Sequence, residues 1–435
     1  VRPIYHQIVI LPSSVNEGGS QEVVRMLALV FDPSSARLPL AGALSRIRPW
    51  LSLVGPGPLS LREVEEGPRP GRDWVRLEVL RTGVCGSDVK QATLQASSDN
   101  PLSALISFPH VPGHEIVAAV AESRADLGWE QGLGVAVDPW LGCVARGYRN
   151  PCPACRAGFP PHCARVLNGG PWGSGHGMHL GTVRGLPGGF SQFIWAHRSQ
   201  IHPLPDGLAL GVAVLADPLA VALHAVARAP DFGGGAVLVI GAGTIGLSLA
   251  LAARTRWPQR RVFVTCAWDR QRSLVAGLGA VPLPSGPESV VRAMSEISGA
   301  ALARPWRGGP WALGAGTPLV LDSIGAPATM ELALRALEPG GTVVTVGVGR
   351  PARAETTLTY YKEARILGSN GYGSSGPGGP HLLDSALRLL TERADQVSSW
   401  LTHLVPIRGW REAFTAAARP DRSGAIKVTL SLREE

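Results

Sequence analysis

The sequence predicts an α/β protein of two unequal parts, a mostly β domain of irregular connections and a doubly wound parallel-sheet domain. Three observations lead there. At 435 residues the chain exceeds what one ordinary core organises. From Met26 to about Pro205, short alternating segments are broken by glycine and proline, the punctuation of a β domain. Beyond that point buried-strand runs alternate with helical ones, and such alternation builds a parallel sheet.

In chain order, residues 1–25 are polar without a strong period and are expected to form an N-terminal extension, and MLALVF reads as a first strand. The insert at 38–57 is rich in Pro, Gly, Ser and Leu and predicts a loop, after which WVRLEVL at 74–80 alternates as a strand should. The second part opens with AVLVI at 236–240, a glycine turn and the helix LSLALAARTR. The strand RVFVT at 261–265, the helix SLVAGLGA and the strand PLVLDSIG follow. The helix TMELALRALEPGG is expected to stop on its glycines before the strand TVVTVGV. From about Thr357 the elements mix and end on the strand AIKVTLSL. The expected division is therefore 26–203 with 357–435 as the β domain, and 204–356 as the parallel-sheet domain.

Composition narrows the class. A hydrophobic fraction of 45% with 17% charged residues describes a globular chain. The formal charge of +8 comes almost wholly from arginine; Lys90, Lys362 and Lys427 are the only lysines. The arginines are scattered and never run together with aromatics, so no nucleic-acid partner is expected, and a coding bias toward arginine explains the charge. Two long apolar stretches fail as membrane spans: Leu208 to Val226 carries Asp217, Pro218 and His224, and Ala236 to Ala253 is interrupted by Gly241, Gly243 and Gly246. The IVIL run at 8–11 is too short for a signal-peptide core, and a cytoplasmic location is expected.

In a reducing compartment clustered thiols hold metal rather than disulfides. Cys143, Cys152, Cys155 and Cys163 fall in one glycine-, proline- and arginine-rich loop. Four thiolates close a tetrahedron around Zn²⁺ and leave no open position, so this site is structural. The alternative, four free or partly buried thiols, accounts poorly for the clustering. VARGYRNP, between Cys143 and Cys152, adds a loop whose Arg and Tyr are expected to be exposed.

GAGTIG, residues Gly241, Gly243, Thr244, Ile245 and Gly246 around Ala242, follows a buried strand and opens a helix. In that context the glycines make a dinucleotide cradle: a tight turn, a close approach of backbone to pyrophosphate, and close helix packing. The acidic residue that normally holds the adenosine ribose falls on Cys266, within TCAWDRQR, with Asp269 and Arg270 after it. A 2′-phosphate fits near Arg270, so NADP is slightly favoured over NAD; the alternative is that Asp269 reaches the ribose.

CGSD at 85–88, GHE at 113–115, CPACRAGFPPHC, GGFSQF, DPLAVALHA at 217–225 and GAGTIG appear in the order of one family. From Met26 onward the chain resembles the zinc-dependent alcohol dehydrogenases of the medium-chain dehydrogenase/reductase superfamily. The tract GGPWGSGHGMHLGTVRGLPGGF is more like the polyol, glucose and threonine dehydrogenase relatives. The resemblance implies a GroES-like β domain beside a Rossmann domain and two zinc ions per chain. It places Cys85, His114 and Glu115 on a catalytic zinc and Ser87 as the hydroxyl that relays the alcohol proton, and it also implies a homodimer or homotetramer. The family has Glu or Cys where this chain has Asp217; as a shorter acid Asp217 reaches the metal directly or through water, or else caps a helix that Pro218 opens. Asp88 is expected to support the site. His224 should lie at the domain junction, and His176, His179 and His403 on the surface or in loops.

The expected function is hydride transfer between an alcohol or carbonyl small molecule, polyol-, sugar- or hydroxy-amino-acid-like, and NAD(P). Two alternatives stand: an NADPH-dependent carbonyl or alkene reductase with only the structural zinc, which about one zinc per chain would select, and a non-catalytic dinucleotide-binding paralogue, which would bind cofactor without hydride exchange.

Overall fold

A computed structural model describes residues 24–34, 38–55, 57–95, 100–348 and 356–433. Of the expected extension at 1–25, all but the last two residues lie outside the described ones. β1 (Arg25–Phe31) and β2 (Leu59–Glu65) form an antiparallel ribbon. The connection between them is not the expected loop: it carries helices at Leu38–Ile47 and Leu51–Val54. Their Leu, Ala and Ser residues recur at helical spacing beneath the turn-like composition. Ser52 Oγ donates to the Ala92 carbonyl at 3.3 Å, and Arg411 Nε to that of Leu53 at 3.2 Å, which seats the insert on the body.

β3 (Trp74–Gly83) is the axis of the first domain. It pairs antiparallel with β4 (Glu115–Val120), which pairs with β5 (Gly134–Val137). β6 (Phe193–His197) lies along the start of β3, and β7 (Ile201–Pro203) along β5. Inward-facing Val75, Leu77, Val79, Ile116, Ala118, Val120 and Ile194 make its core.

The second domain is a wholly parallel sheet of β8 (Val237–Ile240), β9 (Val262–Cys266), β10 (Val281–Pro284), β13 (Thr317–Asp322), β14 (Leu337–Thr345) and β15 (Arg365–Gly368); a small hairpin of β11 (Ala301–Ala303) and β12 (Trp311–Leu313) lies off it. The order β10-β9-β8-β13-β14-β15 is that of a dinucleotide fold, with a crevice where β8 and β13 part in opposite directions. Apolar clusters cover both faces. The sheet runs past the expected limit at 356, because β15 pairs with β14 and the helix Leu382–Glu392 packs on the helix Ala216–Arg228. β15 is a largely exposed edge strand, so its sequence lacks the apolar run of a central one.

The helix Pro327–Ala336 ends before its glycines. Lys362, fully buried, closes that end instead, its Nζ donating to the carbonyls of Leu334 at 2.8 Å, Arg335 at 3.3 Å and Leu337. A cation at a helix carboxyl end satisfies free carbonyls and complements the dipole.

The chain then returns to the first sheet through β16 (Leu401–Pro406) and β17 (Lys427–Ser431), β17 pairing with the end of β3. The run Leu210–Arg228 is long and apolar enough to cross a membrane, and most of it is buried inside the fold.

Candidate active site

β3 and β4 bring the candidate ligands together. Glu115 opens β4 directly opposite Gly83, the last residue of β3, and Cys85 lies two residues further on. There the chain turns into the helix Gly86–Ala92, where Asp88 Oδ2 accepts the Cys85 N–H at 2.9 Å and fixes the turn. One ligand atom each from Cys85, His114 and Glu115 lies within 4.8 Å of the others. Asp88, buried, also sets Oδ1 3.7 Å from His114 Nδ1. Burial opposes charge on His114, but Asp88, Cys85 and Asp217 outweigh it and hold the imidazole well above its usual range. The three donors converge closely enough to hold one metal ion.

Glu115 has a partner that the sequence reading missed. Lys427, at the start of β17, forms an ion pair with Glu115 Oε2, and both side chains are almost wholly buried. Gly83 lies between them: a Cβ there would fall 1.7 Å from Glu115 Oε2 and 2.7 Å from Lys427 Cε. The glycine of TGVCG is thus the space the pair occupies.

Asp217 is buried, and burial pushes its carboxyl up to about 7. It is not the helix cap: the helix starts at Ala216 after Leu215, so Asp217 and Pro218 are its second and third residues. Nor does it join the three-residue ligand group; its Oδ1 accepts from Tyr372 Oη at 2.8 Å. Ser87 is exposed at the first turn of its helix.

His179 lies in a loop, as expected, and is half-buried there, its ring 5.1 Å from that of His114 and 5.1 Å from Trp140; burial beside His114 pushes it down to about 3. His224 does lie at the junction, stacked 4.8 Å from Phe159.

The four loop cysteines converge, one sulfur of each within 4.8 Å of the rest. Cys143 Sγ and Cys163 Sγ are 3.7 Å apart, close to the ~3.8 Å separation that four sulfurs at ~2.3 Å from one centre require. Backbone N–H groups of Cys143, Cys152 and Ala164 donate to these sulfurs at 3.3–3.5 Å, as thiolates favour. The intervening loop is exposed only in part: Val144, Gly147, Arg149 and Asn150 face solvent, whereas Arg146 and Tyr148 turn inward. Arg146 is buried, its guanidinium donating to the carbonyls of Leu141 at 3.0 Å and Asn168 at 2.7 Å, while Tyr148 packs on the cluster under Arg165. Arg165 also reaches Cys143 Sγ at 3.5 Å. Two guanidiniums therefore offset the net negative charge that four thiolates and one divalent ion would carry.

At the crevice, Gly241 has φ +94° and leads into the helix Thr244–Arg256. A Cβ on Gly246 would meet the Gly241 carbonyl oxygen at 1.9 Å, whereas one on Gly243 meets nothing within 4 Å. The turn is closed on the protein side and open toward a ligand. Thr244 Oγ1 donates to the Ile426 carbonyl at 2.7 Å, tying the cradle to the strand that carries Lys427, and Ile245 is half-buried. At the end of β9, Cys266 is buried and turned onto the Val264 carbonyl, and Asp269 points into solvent with Arg272 3.5 Å away. Lys90, one turn past Ser87, donates to the Val348 carbonyl of the opposite domain.

A β domain that offers a thiolate, imidazole and carboxylate across a cleft from a phosphate cradle defines a metal-assisted, nicotinamide-dependent oxidoreductase. Residues 71–206 match the model of the alcohol dehydrogenase GroES-like domain, and 243–392 that of the zinc-binding dehydrogenase. Among curated relatives, L-galactonate-5-dehydrogenase of Escherichia coli K12 is 28% identical over 355 residues, 80% of this chain and 89% of that one. Galactitol 1-phosphate 5-dehydrogenase of the same organism is 28% identical over 356 residues, with the same coverage. L-arabinitol 4-dehydrogenase of Aureobasidium melanogenum is 26% identical over 396 residues, 89% and 94% of the two chains. Of solved folds, an NADH-complexed alcohol dehydrogenase of E. coli CFT073 aligns with TM-score 0.67 at 20% identity, covering 94% of this chain and 99% of that one. E. coli galactitol-1-phosphate dehydrogenase aligns at 0.66 and 22%, covering 93% and 100%. The chain belongs to the zinc-dependent alcohol dehydrogenase family of the medium-chain dehydrogenase/reductase superfamily, and it is an oxidoreductase.

Proposed function

We propose that the protein oxidises a secondary hydroxyl of a polyol, a sugar alcohol or a related sugar acid, reversibly, with NADP as the slightly favoured cofactor and two zinc ions per chain. The observation that carries this reading is the convergence of Cys85, His114 and Glu115 beside the crevice. The donor set fits zinc: a soft thiolate, an imidazole whose other nitrogen faces Asp88, and a carboxylate. When bound there, zinc supplies Lewis acidity that lowers the pKa of the substrate hydroxyl.

The chain's own residues do the rest. Asp88 orients His114 and holds the Cys85 turn. Lys427 pairs with Glu115 Oε2 and holds its carboxylate in place. Asp217, held by Tyr372 outside that three-residue group, adds a carboxyl beside it. Ser87, exposed at the cleft, takes the hydroxyl proton outward. The amino end of the helix Thr244–Arg256 would hold the pyrophosphate of a bound dinucleotide, whose nicotinamide would exchange the hydride with the carbinol carbon. Arg270 and Arg272, with Asp269 turned outward, support a 2′-phosphate over a bare ribose. The second zinc is held by the four cysteines and orders their loop. Relatives that are dehydrogenases of L-galactonate, galactitol 1-phosphate and L-arabinitol, all hydroxylated carbon chains, support the substrate class. The dimer or tetramer that the family resemblance implies belongs to this proposal.

The test is a panel of polyols, sugar alcohols and sugar acids assayed with NAD and NADP, beside Cys85→Ser. Turnover on at least one class that vanishes in the variant is expected. Turnover undiminished in Cys85→Ser would select a reductase with the structural zinc alone, and cofactor binding without any hydride exchange a non-catalytic paralogue.

A further inference from the structure

Asp217 has two carboxylate oxygens, and the structure accounts for one. Tyr372 Oη donates to Oδ1 at 2.8 Å; the tyrosine is fully buried and the aspartate nearly so. A charge-assisted bond in such a setting is strong and directional, so saturating one oxygen fixes where the other points. The helix that carries Asp217 packs against β4, the strand that Glu115 opens.

The tyrosine is itself held from several sides. Its ring stands edge-on to His381, with centroids 5.9 Å apart. His381 Nε2 lies 3.3 Å from Asp138 Oδ2, and its Nδ1 accepts the Leu383 N–H at 3.3 Å. The His381 ring also lies 4.6 Å from that of His202, tilted by 33°, and His202 Nδ1 pairs with Asp384 at 2.7 Å. Asp138 and His202 belong to the first domain, and His381 and Asp384 to the helix packed on the second. Gly371, with φ +61°, lets the backbone before the tyrosine lie on the Trp140 indole, where a Cβ would come within 2.4 Å of the ring.

We propose that Tyr372 is a positioning residue of the metal centre: its hydroxyl holds Asp217 so that the remaining carboxylate oxygen faces the Cys85–His114–Glu115 group. Aspartate is a short arm, and the tyrosine hydroxyl bonded to its Oδ1 supplies a fixed aim for its carboxylate. This inference rests on the reading of Asp217 as part of the metal site.

Tyr372→Phe removes the hydroxyl and keeps the ring. In the zinc-loaded enzyme, competition with a chelator should show the ion at the Cys85 site held about tenfold more weakly, while the four-cysteine ion is retained as in the parent. With Co²⁺ exchanged into the Cys85 site, the visible absorption band should shift. kcat should fall with cofactor KM unchanged. Asp217→Asn should lose at least as much, and the double variant no more than Asp217→Asn alone, since the two act as one unit. Parent-like retention and an unshifted band in Tyr372→Phe, beside clear losses in Asp217→Asn, would leave the tyrosine a packing residue and overturn the proposal. Parent-like behaviour of Asp217→Asn itself would overturn the metal-site reading of Asp217, and the tyrosine's role with it.

Discussion

Replacing Lys427 with methionine keeps the volume of the stem and removes the charge that faces Glu115. Both side chains are nearly inaccessible, at 2% and 3%. Removing one member of a buried ion pair strands the other and costs about 3–5 kcal/mol, whereas replacing both members is often close to neutral. With an m-value of roughly 3 kcal/mol/M, the metal-free variant should therefore unfold at a urea midpoint lower by about 1–1.7 M. A divalent ion beside Glu115 supplies part of the missing charge, so the loss should shrink when zinc is present. The double variant Lys427→Met, Glu115→Gln should recover most of the stability and none of the activity. Urea titration of all three proteins, with and without chelator, measures this. A midpoint within about 0.2 M of the parent, or a double variant as unstable as the single one, would refute the claim that the pair is a buried charge balance.

Gly246→Val should abolish cofactor binding, read by quenching of NADPH fluorescence, without loss of the four-cysteine zinc, because its side chain must enter the space of the Gly241 carbonyl. Arg165→Ala should speed zinc release to a chelator from the four-cysteine site by about tenfold, with the Cys85 site unaffected, since it removes a donor to Cys143 Sγ. The seam between the domains should be pH-dependent. Burial opposes charge on His381, but Asp138 outweighs it and holds the ring above its ordinary 6.5. The stability this contributes is complete below 6.5 and is lost as pH rises through the raised value. Burial pushes Asp384 up, and the bond from His202 more than reverses that, holding it below its ordinary 3.8, so its share is present above 3.8 and fades only in stronger acid. His381→Asn should therefore lower the urea midpoint more at pH 5.5 than at pH 9; an equal effect at both would contradict the charged pairing.

Most of the fold and much of the site was legible in the sequence because its signals are local. The buried runs at 236–240 and 317–322, the glycines at 241, 243 and 246, and the cysteines of one loop each declare themselves within a few residues. What the sequence hid lies in long-range pairing. Glu115 meets Lys427 only because β17 returns to β3, and Tyr372 meets Asp217 across 155 positions. The helices at 38–54 were masked by turn-forming residues, and β15 by the polarity of an edge strand. One overlooked signal was compositional. In a chain that uses arginine almost everywhere, its three lysines occupy a buried ion pair, a buried helix end and the cleft between the domains. A compact ammonium fits such places where a planar guanidinium does not.

The most direct test of the account is anomalous diffraction at the zinc absorption edge on crystals of the cofactor-bound enzyme. Two peaks per chain are predicted, one enclosed by Cys143, Cys152, Cys155 and Cys163 and one in contact with Cys85 Sγ and His114. A single peak among the four cysteines, in a protein that still transfers hydride to NAD(P), would contradict it.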